Sequence, residues 1–306
     1  SVVMFEKDKV GGVCLNRGCI PTKAILHSAE VYEELKCSSD IGINCEGLSV
    51  DFAKVVERKE RTVEKLRKSL ELTLKNAGVV TVIARAEVAG QNKIKANGEL
   101  YECSKIIVAT GSSPRALKGI EFDNEFVLSS DDVLNLTSLP KSIAIIGSGA
   151  IGIEWARIFS AFDVEVTIIE AAEHLLPLAD TEVSKRVERI FKSKKIKMYL
   201  SNGVQKIEKV YLSSGDIIEP ECVLLAVGRK PDIDKKTDNV TYLGDVYGSV
   251  QLAHFAIKQA ISEISGVQFD ENLVPSVVYG CPEIAWVGKR EQDLEEGTYK
   301  KANILI

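Results

Sequence analysis

A chain of 306 residues has length for about two domains, and 45% apolar with 27% charged residues is the composition of a water-soluble globular protein. A formal net charge of -5 leaves no basic footprint for nucleic acid or an anionic membrane surface. No run approaches the roughly 18 consecutive apolar residues that suggest a membrane-spanning helix.

The opening run Ser1–Phe5 reads as a strand over 3–6 and lacks the charged start and cleavage site of a signal peptide. A helix is expected after Pro21. From Asp51 to Gly78 runs a charged segment in which Phe52, Val55, Val56, Val63, Leu66, Leu70 and Leu74 recur mostly every three or four residues. This is the spacing of a helix with a core-facing stripe and a solvated face, ended by Gly78. Short β-type runs follow at Val79–Ile83 and Ile106–Ala109. A second α/β unit begins after Pro140, with a strand at Ile143–Ile146, a glycine-rich turn and a helix at Ile153–Phe162. Strands at Val164–Ile169 and Val223–Val227 follow, and Gly228-Arg229-Lys230-Pro231 breaks the pattern. The strand endings Phe5-Glu6 and Ile169-Glu170 hint at two related nucleotide-binding units.

Gly147-Ser148-Gly149-Ala150-Ile151-Gly152 fits G-x-G-x-x-G. The motif alone is weak, but here it follows a strand, opens a helix and leads to Glu170 at the end of the next strand. That context defines a dinucleotide site. Gly147 serves the tight turn, Gly149 the approach of the pyrophosphate, and Gly152 the packing of helix on strand. The helix N-terminus offers N–H donors to the phosphates. Glu170 suits ribose hydroxyls and repels a 2′-phosphate, which favours NAD over NADP.

Cysteines stand at 14, 19, 37, 45, 103, 222 and 281. Five are scattered in apolar surroundings, as buried reduced thiols of a reducing compartment would be. Cys14 and Cys19 differ, because they lie five residues apart beside Gly11, Gly12 and Gly18. The spacing suits zinc poorly, and His27, His174 and His254 are isolated, so no metal site is expected. The pair reads either as two unrelated buried thiols or as a disulfide that opens and closes in catalysis, which needs one accessible, electrostatically assisted thiolate.

The run Gly11-Gly12-Val13-Cys14-Leu15-Asn16-Arg17-Gly18-Cys19-Ile20-Pro21-Thr22-Lys23 resembles the redox signature of the FAD/NAD pyridine nucleotide-disulfide oxidoreductases, in its dihydrolipoamide dehydrogenase form. The likeness extends to Ala109–Ser112, Gly147–Glu154, Ala226–Arg229, Gly244-Asp245, Leu252–His254 and Val274–Tyr279 with Pro282-Glu283, in the family's order.

The resemblance implies an α/β fold with two Rossmann-like dinucleotide-binding domains, for FAD and NAD, and an α+β dimerisation domain, incompletely represented. The expected boundaries are 1–140 for the FAD domain, 141–232 for the NAD domain, 233–273 for a return to the FAD or central domain, and 274–306 for the start of the interface domain. It further implies that Cys14 is the interchange thiol and Cys19 the charge-transfer thiol. Lys23 would pair with Glu154 where hydride passes between flavin and nicotinamide. FAD contacts are implied for Glu6, Lys7, Gly11, Gly12, Cys14, Lys23, Ala86, Thr110, Gly111, Ser112, Asp245, Gln251, Leu252, Ala253 and His254. NAD contacts are implied for Gly147, Gly149, Ile151, Gly152, Glu154, Glu170, Val204 and Gly228. The activity implied is reoxidation of dihydrolipoamide for 2-oxoacid dehydrogenase or glycine cleavage complexes, with electrons passing through Cys14–Cys19 and FAD to NAD+. The partners implied are a second subunit and a lipoyl domain, in the cytoplasm or a mitochondrial matrix.

Against the family pattern, the FAD phosphate loop would precede Ser1 and a His–Glu dyad would follow Ile306. The stretches 205–215 and 231–244 are short for the family's meander and approach strand, and exposed sheet edges are expected. Glutathione or mercuric reductases share the architecture, and a non-catalytic truncated paralogue is the reading from another class.

Overall fold

A computed structural model describes residues 1–233, 236–280 and 282–302. The chain opens with β1 (Val2–Glu6), α1 (Gly12–Arg17), α2 (Cys19–Lys36) and α3 (Phe52–Asn76). Strands β2 (Val79–Ile83), β3 (Ala86–Gly90), β4 (Lys93–Ala96), β5 (Glu99–Glu102), β6 (Ile107–Val108), β7 (Ser112–Pro114) and β8 (Val127–Leu128) follow. The middle of the chain holds β9 (Ser142–Ile146), α4 (Ala150–Ala161), β10 (Glu165–Ile169), α5 (Thr181–Ser193) and β11 (Lys197–Tyr199). After it come β12 (Val204–Lys206), β13 (Val210–Leu212), β14 (Ile217–Ile218), β15 (Cys222–Leu225), β16 (Arg229–Pro231) and β17 (Thr241–Tyr242). The described chain closes with α6 (Ala253–Ser265), β18 (Ser276–Val278) and β19 (Ile284–Trp286).

The best-supported sheet is parallel and five-stranded, in the order β11-β10-β9-β15-β8. Successive β9 residues point to opposite faces, as the period of two requires. Ile143 and Ile145 join Trp155, Ile158 and Phe159 of α4 in one cluster, which also takes Ile25, Leu26 and Ala29 of α2. Ala144 and Ile146 face the other way, against Val210 and Leu212 of the β12–β13–β14 meander. Both faces are covered, which is why the strands read as nearly continuous apolar runs.

The N-terminal region is built from smaller pieces. Strands β1 and β2 form one parallel pair and β6 and β17 another, and Val2, Val3, Val80, Ile83 and Ile107 are exposed. Exposed sheet edges were the expectation from sequence.

Several expectations need correction. The segment 12–17, for which no element was expected, is a short helix entered through left-handed Gly11 and Gly12 (φ +115° and +65°). The α3 stripe is buried at Phe52 and Val63 but not along its length. Leu66 is exposed, while Leu70 and Leu74 further along are half-buried and Arg67 reaches Asn16 of α1. The Gly228–Pro231 break holds a strand, β16, paired antiparallel with β7. The meander over 204–218 is short but hydrogen-bonded, while the 231–244 stretch includes Asp234 and Lys235, which lie outside the described residues. Among the four scattered cysteines that lie in the described residues, only Cys222 is buried. Cys37 and Cys45 are exposed, Cys103 is half-buried, and Cys281 lies outside the described residues.

Candidate active site

Cys14 and Cys19 form a disulfide, with Cα atoms 4.7 Å apart. Gly18 makes this possible. A Cβ there would lie 3.0 Å from Val13 O and 3.1 Å from Cys14 Cα, so glycine lets α1 turn into α2 without pushing this backbone apart. Asn16 stiffens the loop by donating from Nδ2 to Val10 O at 3.1 Å and Gly12 O at 3.0 Å.

Lys23 lies one helical turn beyond Cys19, on the same face of α2. Its Nζ donates to both carboxylate oxygens of Glu154, at 2.7 and 2.6 Å. Glu154 is on α4, and the packing of α2 on α4 through the shared apolar cluster brings the pair together. The carboxylate is buried, 7% exposed against 30% for Lys23. It also accepts from Tyr279 N–H at 3.1 Å, and the Tyr279 ring lies 4.7 Å from Lys23 Nζ. A buried carboxylate held by one cation and one backbone donor keeps its place.

The glycine turn separates three reasons for glycine. A Cβ on Gly147 (φ +96°) would stand 2.5 Å from Ala226 O, and one on Gly152 would collide with Gly147 O. The fold therefore accounts for both. A Cβ on Gly149 would meet nothing within 4 Å, at the N-terminus of α4. Open space beside unprotected N–H groups fits a pyrophosphate rather than a packing need. Ile151 is the second residue of α4. Glu170 comes with protein donors already on it. Oε2 accepts from Ser148 N–H at 2.8 Å and Ser148 Oγ at 2.7 Å, and Oε1 from Ala172 N–H at 2.9 Å. A carboxylate has about four acceptor positions, so two ribose hydroxyls would have to share Glu170 with Ser148. Ser148, fully buried between two glycines, is not among the site residues expected from the sequence.

The two acidic strand ends are built alike. Glu170 O accepts from Asn202 N–H at 2.9 Å, two residues before Val204. Glu6 O accepts from Ala84 N–H at 2.8 Å, two residues before Ala86. Each strand end thus sits beside the segment that carries an expected cofactor contact, Ala86 for FAD and Val204 for NAD.

A third cluster gathers Lys7, Thr110, Gly111, Ser112, Asp245, Gln251 and Gly228. Thr110 Oγ donates to Asp232 O at 2.9 Å, Asp232 N–H to Gly111 O at 2.9 Å, and Lys7 Nζ lies 3.7 Å from Asp232. Ser112 Oγ donates to Asp245 Oδ2 at 2.5 Å. Oδ1 has no donor among the described residues, which leaves the acceptor a ribityl hydroxyl of FAD would need. Gly228 O accepts from Arg115 N–H, and Gln251 Nε2 donates to Arg229 O at 3.4 Å. Leu252 caps α6, Ala253 begins it, and His254 Nε2 is 2.7 Å from Pro275 O, a tether rather than a base.

Residues 1–254 match the family model described as pyridine nucleotide-disulphide oxidoreductase. The chain belongs to this family. Its members use FAD and NAD, and the open Gly149 turn and free Asp245 Oδ1 fit those groups. A dihydrolipoyl dehydrogenase of Bacillus subtilis (strain 168) is 34% identical over 95% of this chain and 72% of that protein. One of Chlamydia pneumoniae is 32% identical over 96% of this chain and 71% of that protein. Among solved structures, LpdA from Mycobacterium tuberculosis superposes with a TM-score of 0.85 at 22% identity, over 96% of this chain and 73% of that one. The HOCl-induced flavoprotein disulfide reductase RclA from Escherichia coli gives 0.79 at 24%, over 95% and 72%. These last two likenesses show the fold. The chain is an oxidoreductase of the dihydrolipoyl dehydrogenase kind.

Proposed function

We propose that the chain oxidises dihydrolipoamide, or a lipoyl domain carrying it, with NAD+ as the acceptor. The observation that carries the reading is the Cys14–Cys19 disulfide one helical turn from the Lys23–Glu154 pair, on a helix packed directly against the glycine-turn helix. A thiolate of the substrate attacks Cys14 Sγ, and Cys19 leaves as a thiolate. The second substrate thiol then displaces Cys14, releasing a cyclic disulfide and leaving two electrons on the protein thiols. FAD, when bound, carries that electron pair to the nicotinamide. Lys23 places a fixed positive charge at the junction, and Glu154 holds Lys23 in place. Gly149 and the α4 N-terminus receive the dinucleotide pyrophosphate, and Glu170 receives its ribose. Residues 1–140 with 233–273 form the FAD side and 141–232 the NAD side.

We further read the working unit as a homodimer in the cytoplasm. Among the described residues no helix is long and apolar enough to cross a membrane. The test is a panel of disulfide and dithiol substrates with NADH or NAD+. Preference for lipoamide over glutathione disulfide supports the reading, and preference for glutathione disulfide with NADPH would overturn it.

A further inference from the structure

Arg229 enters none of the roles above, yet this largely covered cation of the 141–232 unit makes several bonds to residues of the flavin side. Its side chain is 10% exposed. Nε donates to Ser112 Oγ at 2.8 Å and Nη2 to Ser112 O at 2.7 Å. Nη1 donates to Ser130 Oγ at 3.3 Å and lies 3.7 Å from Asp131. Burial pushes the Asp131 carboxyl above its ordinary value, against the pull of Arg229 and then of Arg17.

The protons in this cluster can be assigned. A guanidinium only donates, so Ser112 Oγ must accept from Arg229 Nε. The one hydroxyl proton of Ser112 is then left for Asp245 Oδ2, 2.5 Å away. The order Arg229 to Ser112 to Asp245 has one direction. It fixes one oxygen of Asp245 and leaves the other, Oδ1, without a donor among the described residues. Ser112 is 4% exposed, so little solvent screens the chain of charges.

We propose that Arg229 is the positioning residue for Asp245, acting through Ser112, and that this relay ties the turn at Gly228 to the flavin-binding carboxylate. The backbone supports the coupling. Arg229 follows Gly228 directly, and β16 pairs with β7 so that Arg229 lies opposite Pro114 and Pro231 opposite Ser112. A shift of the Gly228 turn would therefore move the guanidinium relative to Ser112. The proposal rests on reading Asp245 as a FAD ligand, and the test separates the two.

FAD dissociation from the holoenzyme is measured by flavin fluorescence, with the flavin absorption spectrum and circular dichroism recorded alongside. Ser112→Ala and Arg229→Gln should each weaken FAD about tenfold, the effect of one charge-assisted hydrogen bond. Because they break one relay, the double variant should also lose about tenfold rather than the about hundredfold of independent effects. Ser112→Thr, which keeps the hydroxyl, should bind FAD as the parent does. Ser112→Ala keeps the test open if Arg229→Gln fails to fold with Asp131 left buried. Asp245→Asn should weaken FAD and make Ser112→Ala nearly silent. Weakening by Asp245→Asn with no effect of Ser112→Ala or Arg229→Gln, or full additivity of those two, overturns the relay alone. No effect of Asp245→Asn overturns the flavin assignment and the relay with it.

Discussion

The two acidic strand ends, Glu6 and Glu170, share a local geometry but not its support. Glu170 closes β10 in the middle of a five-stranded sheet covered on both faces. Glu6 closes β1 in a two-stranded pair whose Val2, Val3, Val80 and Ile83 are exposed. A turn and one backbone hydrogen bond set the position of a ligand-facing carboxylate, whereas the cover over the sheet sets how firmly it is held. The thiols belong to the less supported side, and the Lys23–Glu154 pair anchors them to the better supported one.

The largest effect should come from separating the chemistry of one side from the binding of the other. Cys14→Ser or Cys19→Ser should abolish lipoamide turnover while NADH binding, read by fluorescence quenching, stays within about twofold, because the glycine turn does not touch the thiols. Lipoamide turnover near the parent rate in Cys14→Ser would end the disulfide mechanism.

Within the covered unit, the glycines of one turn should respond differently. Gly152→Ala should destabilise by about 2–4 kcal/mol in chemical denaturation, since its methyl meets Gly147 O and backbone cannot yield cheaply. Gly149→Ala should leave stability alone and weaken NADH. Equal destabilisation by both would refute the claim that Gly149 is kept open for a ligand.

The anchor between the sides should fail asymmetrically. Lys23→Met leaves the buried Glu154 carboxylate without its cation, and should cost about 1–3 kcal/mol. Glu154→Gln leaves a Lys23 that reaches solvent, and should cost less. Equal losses in denaturation would show that the burial difference has no energetic weight.

The smallest effect concerns the thiols outside the redox pair. Burial pushes the Cys222 thiol up to about 12, so at pH 7–8 Cys37 and Cys45 should react with iodoacetamide well before Cys222. The unfolded thiol titrates near 9.0 and the folded one near 12, so the unfolded chain loses its proton first. Stability should therefore fall as pH rises above about 9, by at most about 1.4 kcal/mol per unit from this group, and Cys222→Ala should remove that part of the slope.

What the sequence made legible follows the range of the interactions. The strand–turn–helix at 143–162 depends on neighbours in the chain and could be read directly, whereas the spacing of Cys14 and Cys19 left two readings open until the family pattern favoured the disulfide. The family pattern supplied Lys23–Glu154, whose members stand 131 positions apart. Arg229, though part of the Ala226–Arg229 motif, was given no role because its partner Ser112 is 117 positions away and the residues around it read as a break in the pattern. The outer half of the α3 stripe misled for the opposite reason. Its periodicity is real, but the cover there is partial, with Leu66 exposed and Leu70 and Leu74 half-buried, and periodicity cannot report how complete a neighbour's cover is.

The central claim is that electrons move between the Cys14–Cys19 disulfide on one side and a nicotinamide held on the other. The direct measurement is anaerobic treatment of the FAD-loaded enzyme with NADH, followed by alkylation and peptide mass mapping. Cys14 and Cys19 should become labelled after NADH and remain unlabelled without it, while labelling of Cys37 and Cys45 should not depend on NADH. Failure of NADH to expose either thiol, in protein that binds both FAD and NADH, would contradict the account.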